Sequence, residues 1–405
     1  MSAAAETPGA AGRLGRLTML FLAHAIGTAN ITLVLAMAPA IEQALGLGHA
    51  GFGLMISAYY GAMLVFALPA GWLADRLGIR VMLVAAHALL AAGMAVFAQA
   101  HGPPLAIMGL MLCGSGYALI NPATARGVLM WFPPRGRATA MGVKQTGVPA
   151  GGVIAALFVA AGQAGWRELA LAVAAMTLLV GIGFLALRPA RAPDGRTAPM
   201  RLGELRSLLR LPRLALFNGA ACIYAAAQAA FFAYLVLFAR DALAVTAAAA
   251  SLCLAAAHTT SAVGRIGWGI TSDLLARDGR VVSLVACGIV GIAGLALLLP
   301  TPALGGIVLL SVAAALLGLS LGGYAALTQT AAAEAVEPRH AGASIGYNML
   351  LTSAGTMLGP VAFGVGVEWI GYASSWTIMA AMLALGAGLF HATRYAAPGN
   401  APKTQ

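Results

Sequence analysis

Charged residues are scarce in this sequence: Asp, Glu, Lys and Arg together make up 9% of its 405 residues. An ordinary soluble domain carries about 25% charged residues, so a chain that is 61% hydrophobic cannot cover a soluble core with polar surface. Apolar runs of about 20 residues, the length that a helix needs to cross a bilayer, follow one another along the chain. The composition excludes an ordinary soluble protein and predicts one embedded in lipid.

Two other patterns are missing. Segments of about ten residues with alternating polarity, which a transmembrane β-barrel requires, are absent, so the crossings are predicted to be helices. Only four cysteines occur, all inside apolar runs, and none has the spacing of a metal or haem site. A free thiol in such a run behaves as a small hydrophobe. We therefore expect no disulfide and no metal or other cofactor.

The apolar runs predict an all-α membrane protein with twelve transmembrane helices in two pseudo-symmetric six-helix bundles. In the N-terminal bundle, residues 1–187, helices are predicted at 17–40, 52–73, 80–99, 105–125, 138–161 and 168–187. In the C-terminal bundle, residues 214–405, they are predicted at 214–238, 247–270, 281–299, 304–327, 341–367 and 373–393. A cytoplasmic Arg-rich linker over 188–213 joins the two bundles.

Basic residues assign the two sides of the membrane. Nineteen of the 23 Lys and Arg residues fall on one face of this topology, against two, Arg167 and Arg240, on the other. Because Lys and Arg accumulate in cytoplasmic loops, we expect both termini in the cytoplasm and the chain in the inner membrane. This topology accounts for the net charge of +11, so no nucleic-acid partner is expected. The first apolar run precedes eleven more and is expected to be retained rather than cleaved as a signal peptide.

The loops after helices 2 and 8 share a pattern in which Gly precedes Asp by four residues. The first loop contains Gly71, Asp75, Arg76, Gly78 and Arg80, and the second contains Gly269, Asp273 and Arg277. Helices 5 and 11 also echo each other at an offset of 204 residues, which aligns Lys144 with Asn348. Internal repeats of this kind are typical of secondary transporters.

With these residues the sequence resembles the major facilitator superfamily, whose signature between helices 2 and 3 is G-x-L-a-D-r-x-G-r-k. The departure is Ile79, where a basic residue is usual. The resemblance implies alternating access by two rocking halves, in which Asp75 latches the start of helix 11 and Asp273 the start of helix 5. Alternatively, either carboxylate is a solvated loop charge with a topological role alone.

Two cations remain inside the predicted helices, Lys144 and Arg265, whereas all twelve acidic residues fall in tails, loops or helix ends. A charged side chain within the membrane usually faces a cavity and carries function. Because no carboxylate remains to neutralise these cations, a negatively charged substrate would relieve the cost of burying them. The sequence therefore predicts an electropositive site for a small anion.

Arg265 is the predicted substrate anchor. His258 and Ser261 lie seven and four residues before it, on the same helix face, and an Arg meets a carboxylate with two parallel hydrogen bonds. Residues 264–273 also resemble helix 8 of the oxalate/formate antiporter and monocarboxylate transporter families, in which the corresponding Arg binds the carboxylate. The alternative is a structural Arg that bonds loop carbonyls or Asp273.

Lys144, near the start of helix 5, is the second candidate. Gly147 and Gly151 share its face, where small residues admit another helix, and this favours an inward orientation. Alternatively, the long side chain snorkels to the membrane interface. His24 and His258 are the candidate proton carriers, since His titrates near neutrality, or else are hydrogen-bonded packing residues.

The remaining substrate candidates are polar residues on helices that line the cavity in this superfamily. They are Tyr117, Asn121, Tyr224, Gln228, Tyr324, Thr328, Tyr347 and Asn348. Each is equally compatible with a role in helix packing.

The residues together predict a monomeric secondary transporter, a symporter or exchanger, that moves a small organic anion such as a carboxylate, with protons as a candidate partner. An inorganic anion such as cyanate or nitrate, an efflux pump, and a membrane sensor with a transporter fold are the alternatives. An enzyme is not expected, because no clustered nucleophile and base and no metal set lies at membrane depth.

Overall fold

A computed structural model describes residues 10–133, 136–162, 164–187, 211–275, 278–304, 306–336 and 340–395. Within these ranges the regular structure is helical, without strands, and eleven segments are long and apolar enough to cross a membrane. One of them, Ser344–Ala392, is 49 residues long, about twice what a crossing requires. The predicted fold class of twelve transmembrane helices is confirmed, and the chain is a multi-pass membrane protein.

The described residues of the first half form six α-helices. These are α1 (Ala10–Ala36), α2 (Ala38–Leu45), α3 (His49–Ala98), α4 (Pro103–Trp131), α5 (Arg137–Ala161) and α6 (Trp166–Gly183), and a 3-10 turn (Phe184–Ala186) follows. The described residues of the second half form seven. These are α7 (Pro212–Leu243), α8 (Ala247–Leu274), α9 (Gly279–Leu298), α10 (Thr301–Leu304), α11 (Ile307–Leu321), α12 (Ala325–Glu334) and α13 (Ala341–Ala392).

Helices α3 and α13 each contain two crossings joined at one glycine. Gly78 has φ 76° and ψ 168°, and Gly371 has φ 78° and ψ 170°. Glycine adopts this left-handed region without the steric cost that a Cβ would bring. Gly78 belongs to the Gly-to-Asp loop pattern, so the structure gives this glycine a backbone role between two crossings.

Two predicted helices are interrupted. The helix predicted at 304–327 ends at Leu321 as α11 and resumes at Ala325 as α12. Two of the three residues between them are glycines, and a Cβ on Gly323 would come within 2.8 Å of the Gly264 backbone of α8. The helix predicted at 17–40 begins earlier, at Ala10, and breaks at Met37. Pro39 explains that break, since proline lacks the N–H that would continue the helix.

The Cα positions divide the chain into two compact units. Unit 1 comprises Met1–Gly46 and Ala58–Gly195, and unit 2 comprises Leu47–Ser57 and Arg196–Gln405. The domain limits predicted at 187 and 214 stay a prediction, because residues 188–210 of the linker lie outside the described residues.

The first turns of α3 group with unit 2, where hydrogen bonds hold them. The Tyr234 hydroxyl donates to the His49 carbonyl at 2.6 Å, and the Ala50 N–H donates to Glu368 Oε1 at 2.9 Å. His49 Nε2 also lies 3.5 Å from the Asp241 carboxylate. Residues 47–57 therefore have their polar partners in unit 2.

Glycines bring helix backbones into contact at equivalent places in the two units. A Cβ on Gly151 of α5 would collide with the Ala25 carbonyl of α1. A Cβ on Gly355 of α13 would collide in the same way with the Cys222 carbonyl of α7. Gly151 and Gly355 are 204 residues apart, the offset at which the sequence repeats, so the internal repeat is visible as a repeated helix contact.

Candidate functional site

A buried cation in unit 1 is surrounded by neutral polar groups. Lys144 is 1% exposed, and its Nζ lies 3.0 Å from Asn121 Oδ1, 3.1 Å from Thr124 Oγ1 and 3.5 Å from His24 Nε2. His24 and Thr124 are also buried. We call these four residues, from α1, α4 and α5, the Lys144 cluster.

The glycine contacts between α5 and α1 explain why the Lys144 cluster forms. Gly147, three residues after Lys144, lies against the His24 side chain, where a Cβ would approach the His24 Cβ to 3.0 Å. Helix α1 therefore passes close to α5, and the imidazole comes to lie beside the ammonium. On α4, Asn121 and Thr124 are three residues apart and face the same side of the helix.

No carboxylate pairs with Lys144 among the described residues, and α1, α4 and α5 contain no Asp or Glu. An ammonium group has three hydrogens to donate, and the three neutral acceptors match that number. Hydrogen bonding thus satisfies the group while its charge stays uncompensated. In this geometry the side chain is buried against α4 and α1 and does not extend to an exposed helix end.

The polar surroundings continue outward from the Lys144 cluster. Gln145 Nε2 lies 3.5 Å from Asn121 Oδ1, and both residues are half-buried. The Tyr117 and Thr28 hydroxyls are 3.1 Å apart. Thr124, Thr28 and Gln145 were not among the predicted site residues. Spacing could have found two of them, since Thr124 follows Asn121 by three positions and Thr28 follows His24 by four.

In unit 2, Arg265 is half-buried on α8, and His258 and Ser261 are buried on the same helix. The His258 ring stacks on Phe232, with centroids 4.6 Å apart and an interplanar angle of 25°. Ser261 lies against Gly322, close to the break between α11 and α12. The role of Arg265 as a substrate anchor stays a prediction.

Several other predicted site residues bond one another or the backbone within unit 2. The Tyr324 hydroxyl donates to Gln228 Oε1 at 3.3 Å, and the Tyr224 hydroxyl donates to the Leu284 carbonyl at 3.1 Å. Asn348 Nδ2 donates to Asn218 Oδ1 at 2.8 Å. The Thr328 hydroxyl donates to the Ala325 carbonyl at 2.9 Å. Tyr347 is buried beside Leu214. The Thr328 bond lies within α12, and the other contacts connect different helices.

The gating motif of the first half is described in part. The Arg76 guanidinium lies 3.9 Å from the Trp72 ring centroid, which is a cation–π contact, and Arg126 of α4 donates to the Ala74 carbonyl at 2.8 Å. The side chain of Asp75 lies outside the described residues. Its predicted latch to helix 11 stays a prediction.

The equivalent region of unit 2 forms an ion-pair network. Arg280 at the start of α9 pairs with Asp273 of α8 and, at 3.2 Å, with Glu334 at the end of α12. Arg277 lies outside the described residues. The structure therefore gives Asp273 a partner in its own unit, and the predicted latch to helix 5 stays a prediction.

Comparison with known proteins identifies the family. The sequence profile of the Major Facilitator Superfamily matches residues 20–314. The chain belongs to the Major Facilitator Superfamily. The predicted resemblance to this superfamily is confirmed, and the chain is a transport protein by family rather than an enzyme.

The curated relatives match over part of their length. A hexuronate transporter of Bacillus subtilis is 29% identical over 142 residues, which are 35% of this chain and 34% of the relative. A probable sulfoacetate transporter of Cupriavidus necator is 25% identical over 167 residues, 41% of this chain and 38% of the relative. The matched region thus spans about a third of these relatives.

Solved structures agree with the fold over nearly the whole chain. A bacterial homologue of the human lysosomal transporter Spinster superposes with a TM-score of 0.77 at 19% identity, covering 96% of this chain and 98% of the other. The nucleoside transporter NupG gives a TM-score of 0.75 at 17% identity, covering 94% of this chain and 99% of the other. At these identities the likeness establishes the fold alone.

Proposed function

We propose that this member of the Major Facilitator Superfamily is a secondary transporter of a small organic anion and that Lys144 binds the anionic group. The observation that carries the proposal is the buried ammonium, which has three neutral acceptors and no carboxylate partner among the described residues. A buried charge without an opposite charge is costly, and a bound carboxylate would supply that charge.

The relatives support an organic anion. Besides hexuronate and sulfoacetate, their names include galactarate/D-glucarate, for a probable transporter of Bacillus subtilis that is 29% identical over 128 residues. Each of these compounds is a small carboxylate, and sulfoacetate carries a sulfonate as well. We extend this chemistry to the present chain as a substrate class and keep Arg265 of unit 2 as a second proposed anchor.

The test is counterflow in proteoliposomes against a panel of hexuronates, aldarates, sulfoacetate, monocarboxylates, cyanate and nitrate. We expect one organic anion to exchange in the wild type and Lys144→Gln to lose most of that exchange. Arg265→Gln tests the second anchor. Arg167→Gln is the matched control, because it removes one positive charge from unit 1 where Arg167 donates to the Ala100 carbonyl, and it should exchange normally.

Three outcomes would contradict the proposal. Unchanged exchange in Lys144→Gln would refute the binding role of Lys144. Exchange of cyanate or nitrate alone would replace the organic anion with an inorganic one. A protein that binds an anion without moving it would favour the sensor.

We also propose an inner-membrane location with both termini in the cytoplasm, supported by the distribution of the 23 Lys and Arg residues. Fusions of a reporter that is active only in the cytoplasm, placed at either terminus, should both be active.

A further inference from the structure

Lys144 Nζ and His24 Nε2 lie 3.5 Å apart, so the protonation state of one affects that of the other. An ammonium group can only donate, and an imidazole nitrogen accepts only when it carries no proton. Two hydrogens of Lys144 are directed to Asn121 and Thr124, which leaves the third for His24 Nε2. In this arrangement Lys144 is charged, and Nε2 of a neutral His24 is the acceptor.

Thr124 provides a hydrogen-bond partner for His24 Nε2 whether or not this nitrogen carries a proton. Its Oγ1 lies 3.0 Å from His24 Nε2 and 2.8 Å from the Ile120 carbonyl. When Nε2 is unprotonated, the hydroxyl hydrogen can point to either acceptor. When Nε2 is protonated, it donates to Thr124 Oγ1, and the hydroxyl donates to Ile120. The Thr124 hydroxyl therefore serves both protonation states of the imidazole, whereas the third hydrogen of Lys144 loses its acceptor when Nε2 is protonated.

The hydrogen-bonding neighbours that the described part of the chain gives this pair are neutral side chains. Helix α1 contributes His24, and α4 contributes Asn121 and Thr124, with Tyr117 one turn earlier bonded to Thr28. Helix α5 contributes Lys144 and, beside it, Gln145. The arginines of these helices include Arg126 and Arg137, which donate to the backbone carbonyls of Ala74 and of Phe132 and Leu129. None of the three helices contains an acid that would carry the proton instead.

We propose that Lys144 and His24 form the proton-coupling site, so that each substrate anion crosses the membrane together with one proton carried by this pair. When Lys144 is protonated and His24 is neutral, the pair has a charge of +1. A second proton would place two cations side by side in a buried site, which is unfavourable unless an anion binds at the same time. Binding of the anion and of the second proton is therefore mutually dependent.

The proton balance of one cycle is closed. A proton from the solution on the loading side binds His24 Nε2, and the anion binds beside the two cationic groups. On the other side the anion leaves and His24 returns its proton to water, which restores the charge of +1. A monovalent anion then moves without net charge, and a divalent anion carries one negative charge. This inference rests on the proposed anion transport.

The test uses full-length protein in proteoliposomes with whichever anion of the panel shows counterflow. With acid outside and no membrane potential, a monovalent anion coupled to one proton should accumulate about tenfold per pH unit, since one pH unit is a tenfold difference in proton activity. Pyranine inside the vesicles should report acidification on anion entry. In His24→Gln, accumulation should fall to the level seen without a pH gradient.

Two further variants separate coupling from folding. His87→Gln changes another buried histidine of unit 1, whose Nδ1 bonds the Leu83 carbonyl, and it should accumulate the anion like the wild type. Thr124→Val removes the acceptor for protonated Nε2 and should weaken accumulation more than counterflow. A wild-type Tm in detergent shows that His24→Gln or Thr124→Val is folded, so that a loss of accumulation is a loss of coupling.

The outcomes distinguish the two proposals. Wild-type counterflow without gradient-driven accumulation or internal acidification would overturn the coupling proposal and leave anion transport standing. Full accumulation by His24→Gln would do the same. Absence of counterflow for every anion of the panel would overturn both proposals.

Discussion

Replacing Lys144 with Met should abolish transport without destabilising the protein. Met has a similar length and no charge, so the substitution removes a buried cation and keeps most of the volume. Each acceptor of the Lys144 cluster retains another partner: Asn121 has Gln145, Thr124 has the Ile120 carbonyl, and His24 has Thr124. No polar atom of these three contacts is left without a partner by the change.

The magnitude follows from two opposing contributions. A hydrogen bond to a charged group contributes about 1.5–3 kcal/mol, and Lys144 makes three such contacts. Removing the ammonium from water costs several kcal/mol, and replacing buried charges by apolar residues is often neutral or stabilising by about 1–4 kcal/mol. We therefore expect the free energy of unfolding of Lys144→Met to be equal to or higher than that of the wild type.

The assay is thermal unfolding of detergent-purified protein, followed by intrinsic fluorescence, together with counterflow. The expected result is an unchanged or raised Tm with no counterflow, and an anion from the panel should raise the Tm of the wild type only. A Tm lowered by several degrees would show that Lys144 is mainly structural. That result would refute the reasoning that its charge is retained for binding.

Two other substitutions test the packing and the ion pairs. Gly151→Ala should destabilise the protein by about 1–3 kcal/mol, because the new Cβ collides with the Ala25 carbonyl of α1. Gly142→Ala is the control and should be neutral in the same thermal assay, because no heavy atom lies within 4 Å of its new Cβ. Arg280→Gln removes ion pairs to Asp273 and Glu334, whose side chains are 67% and 54% exposed. Exposed pairs contribute about 0.2–1 kcal/mol each, so a loss above about 2 kcal/mol would contradict this assignment.

The sequence was sufficient to predict the crossings because each is a separate apolar run, and the structure confirms that fold class. It was less informative where one run contains an internal break. Gly322 and Gly323 stand within an apolar stretch, and only the structure shows that the helix is interrupted there and that α8 lies against Gly323. A pattern along one helix does not reveal which neighbouring backbone lies against it.

The same limit applied to the candidate site. Spacing placed Lys144 on the face of Gly147 and Gly151, but its hydrogen bonds depend on α1 and α4, which are 120 and 20 to 23 residues away in sequence. Thr124 was missed because a threonine in an apolar helix is usually a packing residue. The latch of Asp273 to helix 5 stays a prediction, and the ion pair of Asp273 with Arg280, seven residues further along the chain, was not predicted.

The contact between Gly151 and the Ala25 carbonyl has a consequence for motion. Helices whose backbones touch cannot slide past each other in small steps, because close-packed interiors resist continuous deformation. Helices α1 and α5 should consequently move as one rigid element. The 3.5 Å distance between Lys144 Nζ and His24 Nε2 should then be the same at every stage of a transport cycle. What changes through the cycle is then which aqueous compartment can exchange protons with the pair.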